Sequence, residues 1–175
     1  PTGQLIEGQQ LKKWVQLARS QRCSLILDEF YSHYIYSDVE KGIAAKMVSA
    51  AAYVEDVNRC PVIIVDGLTK NWRYPGWRLS WTIGPQEVIN TITSAGSFLD
   101  GGASSLTQRA VLQLLEPHRV LQESKALQEH FLKKRNYALQ RLKNMGMTVE
   151  SEPQGTFYVW ANLSTLPKPL QDGFQ

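Results

Sequence analysis

The chain has 175 residues, 43% apolar and 20% charged, with 12 Gly and 8 Pro, which excludes collagen-like, low-complexity and disordered classes. Its net charge of +3 comes from 19 basic and 16 acidic residues mixed along the chain, so it does not argue for nucleic acid or membrane binding. The longest apolar runs, Ser24 to Leu27 and Pro61 to Val65, fall far short of the ~20 residues that span a bilayer.

Leu11, Trp14, Val15 and Ala18 recur at helical spacing and predict a helix over Leu5 to Ser20. Ser24-Leu25-Ile26-Leu27 follows, a continuous apolar run ending in Asp28-Glu29-Phe30-Tyr31. Continuous rather than alternating apolarity predicts a strand covered on both faces, as in a parallel sheet. Residues Ile43 to Val54 are Ala-rich and fit either a helix or an ordered loop. Val62 to Asp66 is a second buried strand, and Arg78 to Ile83 a third, alternating one that stops at Gly84-Pro85. Helices are predicted over Gln86 to Leu99 and Ser104 to Leu115. His118 to Met145 carries a long amphipathic stripe of Val120, Leu127, Phe131, Ala138, Leu142 and Met145, with Gly146 at a C′ cap position. A coiled coil or a DNA-reading helix shows a similar stripe, but the flanking charges form no regular pattern, which favours a helix packed on its own domain. Two short strands, Met147 to Ser151 and Thr156 to Ala161, are predicted around the turn Pro153-Gln154-Gly155.

Cys23 and Cys60 belong to no CxxC pair, and His33, His118 and His130 have no zinc-ligand spacing around them. Two free structural thiols in a reducing compartment, the cytoplasm, are expected, with no metal. Pro1-Thr2-Gly3 is neither an initiator nor the start of a signal peptide, so the chain is expected to begin inside something longer. P-loop, G-x-G-x-x-G, nucleophile-elbow and HExxH patterns are absent.

Ligands of parallel α/β sheets gather at the carboxyl ends of the strands. Asp28 and Tyr31 close one apolar strand, Thr69 and Lys70 follow the next, and Arg78 lies eight residues beyond Lys70. Singly, each is an ordinary strand-end or loop residue. Together they place an acid, a phenol, an amine and a guanidinium where apolar strands emerge. A desolvated lysine near other cations has a lowered pKa and forms Schiff bases.

In combination, Leu27-Asp28-Glu29-Phe30-Tyr31, Gly67-Leu68-Thr69-Lys70-Asn71 and Pro75-Gly76-Trp77-Arg78-Leu79-Ser80-Trp81 resemble the core of fold-type I pyridoxal-phosphate (PLP) enzymes, specifically the class I/II aminotransferases. Pro1-Thr2-Gly3-Gln4 is similar to the tail of the family's N-P-T-G turn, and Gly155-Thr156-Phe157-Tyr158-Val159-Trp160 to the strand opening its small domain. The resemblance implies a three-layer α/β/α fold with a mostly parallel sheet. In it, residues 1–117 form the second half of the PLP-binding large domain, 118–146 a connecting helix, and 147–175 the start of a small α+β domain.

The resemblance also implies the cofactor, pyridoxal 5′-phosphate, and residue roles. Lys70 forms the Schiff base and shuttles the proton between Cα and C4′. Asp28 pairs with the pyridinium, Tyr31 donates to the ring's 3-oxygen, and Arg78 grips the 5′-phosphate with help from Thr69. Where the family often places a phosphate-binding serine, three residues before the lysine, this chain has Gly67. The arginine for the substrate carboxylate is expected beyond this chain, since Arg135 and Arg141 sit on the long helix. The implied activity is transamination between an amino acid and a 2-oxo acid by a homodimer, with the loop Asp100 to Ser104 near the neighbouring subunit's site. The fragment alone is expected to be inactive. A lyase or decarboxylase on the same scaffold would share these residues, and a non-catalytic effector domain of a transcription regulator would keep the lysine but sense ligands.

Overall fold

The computed structural model describes residues 2–36 and 47–167. The chain divides into two compact units: Ile6–His33 with Met47–Ser124, and Pro1–Leu5 with Tyr34–Lys46 and Lys125–Gln175.

The first of these holds the sheet. Helix α1 spans Gly8–Gln21, and its start lies later than the expected Leu5. Glu7 is extended at φ −141° and Gly8 takes a positive φ of 56°, so regular helical backbone cannot begin before them. Strands β1 (Leu25–Asp28) and β2 (Val62–Gly67) are parallel, and β3 (Ser80–Ile83) runs antiparallel to β2, in the order β1-β2-β3. The Ala-rich stretch contributes a 3-10 turn at Ala50–Tyr53, capped by the Ser49 hydroxyl; its residues 43–46 lie outside the described ones.

Side chains alternate across a sheet and partners in register share a face. One face therefore carries Leu25, Leu27, Val62, Ile64, Asp66, Trp81 and Ile83. The stripe of α1, Leu11 and Val15, packs there with Ala50, Cys60, Val62 and Ile64 as the first core. The opposite face carries Ile26, Asp28, Ile63, Val65, Gly67, Ser80 and Thr82. It is open at β1, where Ile26 is 67% exposed, so among the described residues nothing gives that strand the expected cover on its second face.

Helix α2 spans Gln86–Leu99 and α3 Ser105–Val111, shorter than the expected helix to Leu115. Helix α4 runs Pro117–Asn144, so Pro117 occupies the first turn, where its missing N–H costs nothing. Its C-terminus has the predicted cap: Gly146 has φ 79°, and the N–H groups of Gly146 and Met147 donate to the carbonyls of Lys143 and Leu142.

In the other unit, Tyr34 packs edge-on against Phe131 and Phe157, with ring centroids 5.0 and 5.6 Å away. The Gly3 carbonyl accepts from the N–H groups of Gln154 and Gly155. The two strands expected at 147–151 and 156–161 do not form as ladders. The described residues there show isolated bridges instead, Thr148 to Asn162 and Ile35 to Gly155.

Candidate active site

The site follows from strand direction. The carboxyl ends of β1 and β2 and the amino end of β3 fall on one sheet edge, because β1 and β2 are parallel while β3 is antiparallel. Asp28 ends β1, Thr69 and Lys70 follow β2, and Arg78 stands two residues before the first residue of β3. All five residues singled out from the sequence thus reach the same edge, Tyr31 by the turn that follows β1. Asp28 lies on the open face, in register with Val65, and is exposed. Its Oδ1 accepts from the Phe30 N–H at 3.2 Å.

The loop from Leu68 to Leu79 is held at its base. Leu68 N–H donates to the Leu79 carbonyl at 3.0 Å, and Tyr74 N–H to the Leu68 carbonyl at 2.9 Å. Leu68, Trp72 and Leu79 are buried with Val111 in a second core, backed by Trp81, Leu114 and Val120. With Leu68, Asn71 and Trp72 all inside, Thr69 and Lys70 are left half-buried at the edge. Pro75–Trp77 forms a 3-10 turn begun by proline, and Arg78 then takes left-handed backbone, φ 50° and ψ 41°. Such a conformation costs a non-glycine residue about 1–2 kcal/mol and concentrates at functional sites. It reverses the chain into β3, with Arg78 Nη1 donating to the Pro75 carbonyl.

A polar cluster that the motifs do not contain ties these loops together. Asn71, fully buried, lies directly after Lys70. Its Nδ2 donates to the Glu29 carbonyl, to Ser32 Oγ and to Asp66 Oδ1 at 3.1, 3.1 and 2.9 Å, and its Oδ1 accepts from the His33 N–H at 3.1 Å. The turn carrying Tyr31 is therefore bonded directly to the loop carrying Lys70. Glu29 Oε1 in turn accepts from the Ala50 N–H at 2.8 Å. The one available signal was an Asp closing an otherwise apolar strand, since a buried carboxylate requires partners.

Burial pushes the Asp66 carboxyl up to about 7 despite the N–H of Gly67 and the amide of Asn71, with Glu29 and Asp28 adding to the rise. Burial also raises Glu29, and it lowers His33 to about 4 with a further contribution from Arg73. The two large shifts oppose each other in stability. Asp66 keeps in the fold a proton that its unfolded form releases near 3.8, so its contribution is full below that pH and is lost as pH rises to about 7. His33 is held neutral, so its contribution is present above 6.5 and lost as pH falls to about 4. Asp66→Asn is expected to tilt the urea midpoint upward with pH between 4 and 6.5 relative to the parent, and His33→Gln to tilt it downward. Unchanged slopes in both variants would contradict the shifts.

At Gly67 a Cβ would lie 2.7 Å from Ser80 Cα, 2.8 Å from the Leu79 carbonyl oxygen and 2.8 Å from Ser80 Cβ. Two of these are backbone atoms that cannot swing aside. Gly67→Ala is expected to lower stability by about 1–3 kcal/mol, as overpacking does, read as a fall in the urea midpoint; an unchanged midpoint would show that β3 yields freely.

The donor set suits pyridoxal phosphate: a carboxylate on the open face for a ring nitrogen, an amine for an aldehyde, and a guanidinium with a hydroxyl for a phosphate. The Thr69 hydroxyl has no hydrogen-bond partner among the described residues, which leaves it available to an anion. No group of three His, Cys, Asp or Glu residues is placed to hold a metal ion among the described residues. Nor is any described helix long and apolar enough to cross a membrane.

Comparison with known proteins extends the match across the chain. The family model described as aminotransferase class I and II matches residues 1–172. The aspartate aminotransferase of Pyrococcus horikoshii is 26% identical over 164 residues, covering 94% of this chain and 39% of that protein. A bifunctional aspartate aminotransferase and glutamate/aspartate-prephenate aminotransferase of Petunia hybrida is 30% identical, covering 99% of this chain and 35% of the relative. A single mutant of Thermus thermophilus aspartate aminotransferase superposes with a TM-score of 0.80 at 25% identity, over 96% of this chain and 41% of that structure. The chain thus spans roughly two fifths of the length of proteins it matches almost from end to end.

Proposed function

The chain belongs to the aminotransferase class I and II family, and from that premise we propose that the protein carrying it moves an amino group between an amino acid and a 2-oxo acid with pyridoxal 5′-phosphate as cofactor. The observation that carries this reading is that the carboxyl ends of β1 and β2 and the amino end of β3 share one sheet edge, with Asp28 at the end of β1 and Tyr31, Thr69, Lys70 and Arg78 in the segments that adjoin those ends. When bound, pyridoxal phosphate supplies an electron sink for the pair released at the substrate's Cα. Lys70 Nζ would hold the cofactor through its aldehyde carbon and would carry the proton at the substrate's Cα. The Asp28 carboxylate keeps a proton on the ring nitrogen, since an opposite charge at hydrogen-bond distance favours the charged form. The Tyr31 hydroxyl donates to the 3-oxygen. Arg78 and the Thr69 hydroxyl hold the 5′-phosphate.

Residues 1–117 serve in this reading as part of the cofactor domain, 118–146 as the connecting helix and 147–175 as the start of the small domain. A homodimer is proposed, with Asp100 to Ser104 facing the neighbouring subunit; α2 and α3 support it by exposing Phe98, Leu99 and Leu106 at 91%, 85% and 79%. A cytoplasmic location is proposed as well, supported by the free state of Cys23 and Cys60.

The test is a single half-reaction. The protein loaded with pyridoxal phosphate and given an amino acid without a 2-oxo acid is expected to convert its cofactor stoichiometrically to pyridoxamine phosphate and release one 2-oxo acid. Release of carbon dioxide or ammonia with the cofactor unchanged would make it a decarboxylase or lyase. Binding of ligand without any turnover would make it a sensor domain.

A further inference from the structure

We propose that Ser80 is a phosphate-binding residue of this site, supplying from β3 the hydroxyl that Gly67 cannot supply from β2. The inference rests on the cofactor reading above and extends it to a residue to which that reading assigned no role.

Gly67 and Ser80 are direct partners across the antiparallel pair, and cross-strand partners point to the same face of a sheet. That face also carries Asp28, through its register with Val65 and that of Val65 with Thr82. A Cβ at position 67 would come within 2.8 Å of the Ser80 Cβ, so this point of the edge has room for one side chain, and Ser80 provides it. Ser80 is exposed, it follows Arg78 by two residues, and its hydroxyl has no hydrogen-bond partner among the described residues.

The chemistry asks for such a group. A phosphate monoester offers three terminal oxygens and is held best by several donors. Arg78 brings a planar guanidinium and Thr69 one hydroxyl. The Ser80 O–H is a freely rotating donor, carried on a regular strand rather than on a loop. The left-handed turn at Arg78 returns the chain from the guanidinium to this hydroxyl within two residues.

The test compares two ligands that differ only in the phosphate. Dissociation constants of pyridoxal phosphate and of pyridoxal are measured by absorbance titration on the whole protein, for the wild type, Ser80→Ala and Ser80→Thr. Ser80→Ala is expected to weaken pyridoxal phosphate roughly tenfold or more, as loss of a hydrogen bond to a charged group does, with pyridoxal changed less than about twofold. Ser80→Thr, which keeps the hydroxyl, is expected to bind pyridoxal phosphate like the wild type, and the bound cofactor's phosphorus resonance to move only in the alanine variant. Equal loss for both ligands would assign Ser80 a purely structural role and overturn the proposal. Unchanged binding of both ligands in Ser80→Ala, with normal binding by the wild type, would overturn it while leaving the cofactor reading intact. Failure of the wild type to bind either ligand would overturn both.

Discussion

Asp28→Asn is expected to leave the cofactor attached to Lys70 while slowing amino-group transfer by roughly two to three orders of magnitude, the usual scale for removing one preorganised electrostatic partner. A neutral amide hydrogen-bonds to a ring nitrogen but does not stabilise its positive charge, so attachment survives and proton removal at Cα suffers. Folding should be barely affected. Asp28 is exposed at the end of β1, and its side-chain hydrogen bond among the described residues is from the Phe30 N–H at 3.2 Å, which an asparagine carbonyl can still accept. Surface changes of this kind stay within about 0.5 kcal/mol. A slow variant with an unchanged melting temperature is the predicted pair of results. A variant that melts earlier and turns over normally would reduce Asp28 to a strand-end cap.

Lys70→Ala should have the larger effect. Without its amine the proposed covalent attachment and the proposed carrier of the Cα proton are both lost. Proton transfer by a positioned side chain is worth roughly 10²–10⁴ in rate, so turnover should fall by at least that factor, and borohydride should no longer fix the cofactor to the protein. The loop should keep its shape, because the packing of Leu68 and Trp72 and the hydrogen bonds of Asn71 hold it independently of the lysine. Residual turnover above a hundredth of wild type would show that another base does the work.

The parts of this molecule that were legible in the sequence are those fixed by local patterns. Two apolar runs each ended at a polar residue, which located β1 and β2 and hence the edge where Asp28 and Lys70 stand. The stripe from Val120 to Met145 with Gly146 behind it located α4 and its cap to within a residue or two. Where the outcome depended on partners distant in the chain, the sequence was silent. Met147 to Ser151 alternates like a strand, but a ladder requires a matching neighbour, and a single bridge from Thr148 to Asn162 is what forms. The partners of Asn71 lie 5, 38, 39 and 42 residues away, so no window of sequence contains the network that ties Lys70 to the Tyr31 turn. The role of Ser80 was hidden for the same reason: it depends on pairing with Gly67 across two strands.

Locating the reduced cofactor is the most direct test of the site as a whole. The protein is loaded with pyridoxal phosphate, treated with borohydride, digested and mapped by mass. The phosphopyridoxyl group is predicted on Lys70, in the peptide running toward Arg73. The same group found on Lys125, Lys134 or any lysine away from the β2 edge would contradict the assignment and, with it, the roles given to Asp28, Tyr31, Thr69 and Arg78.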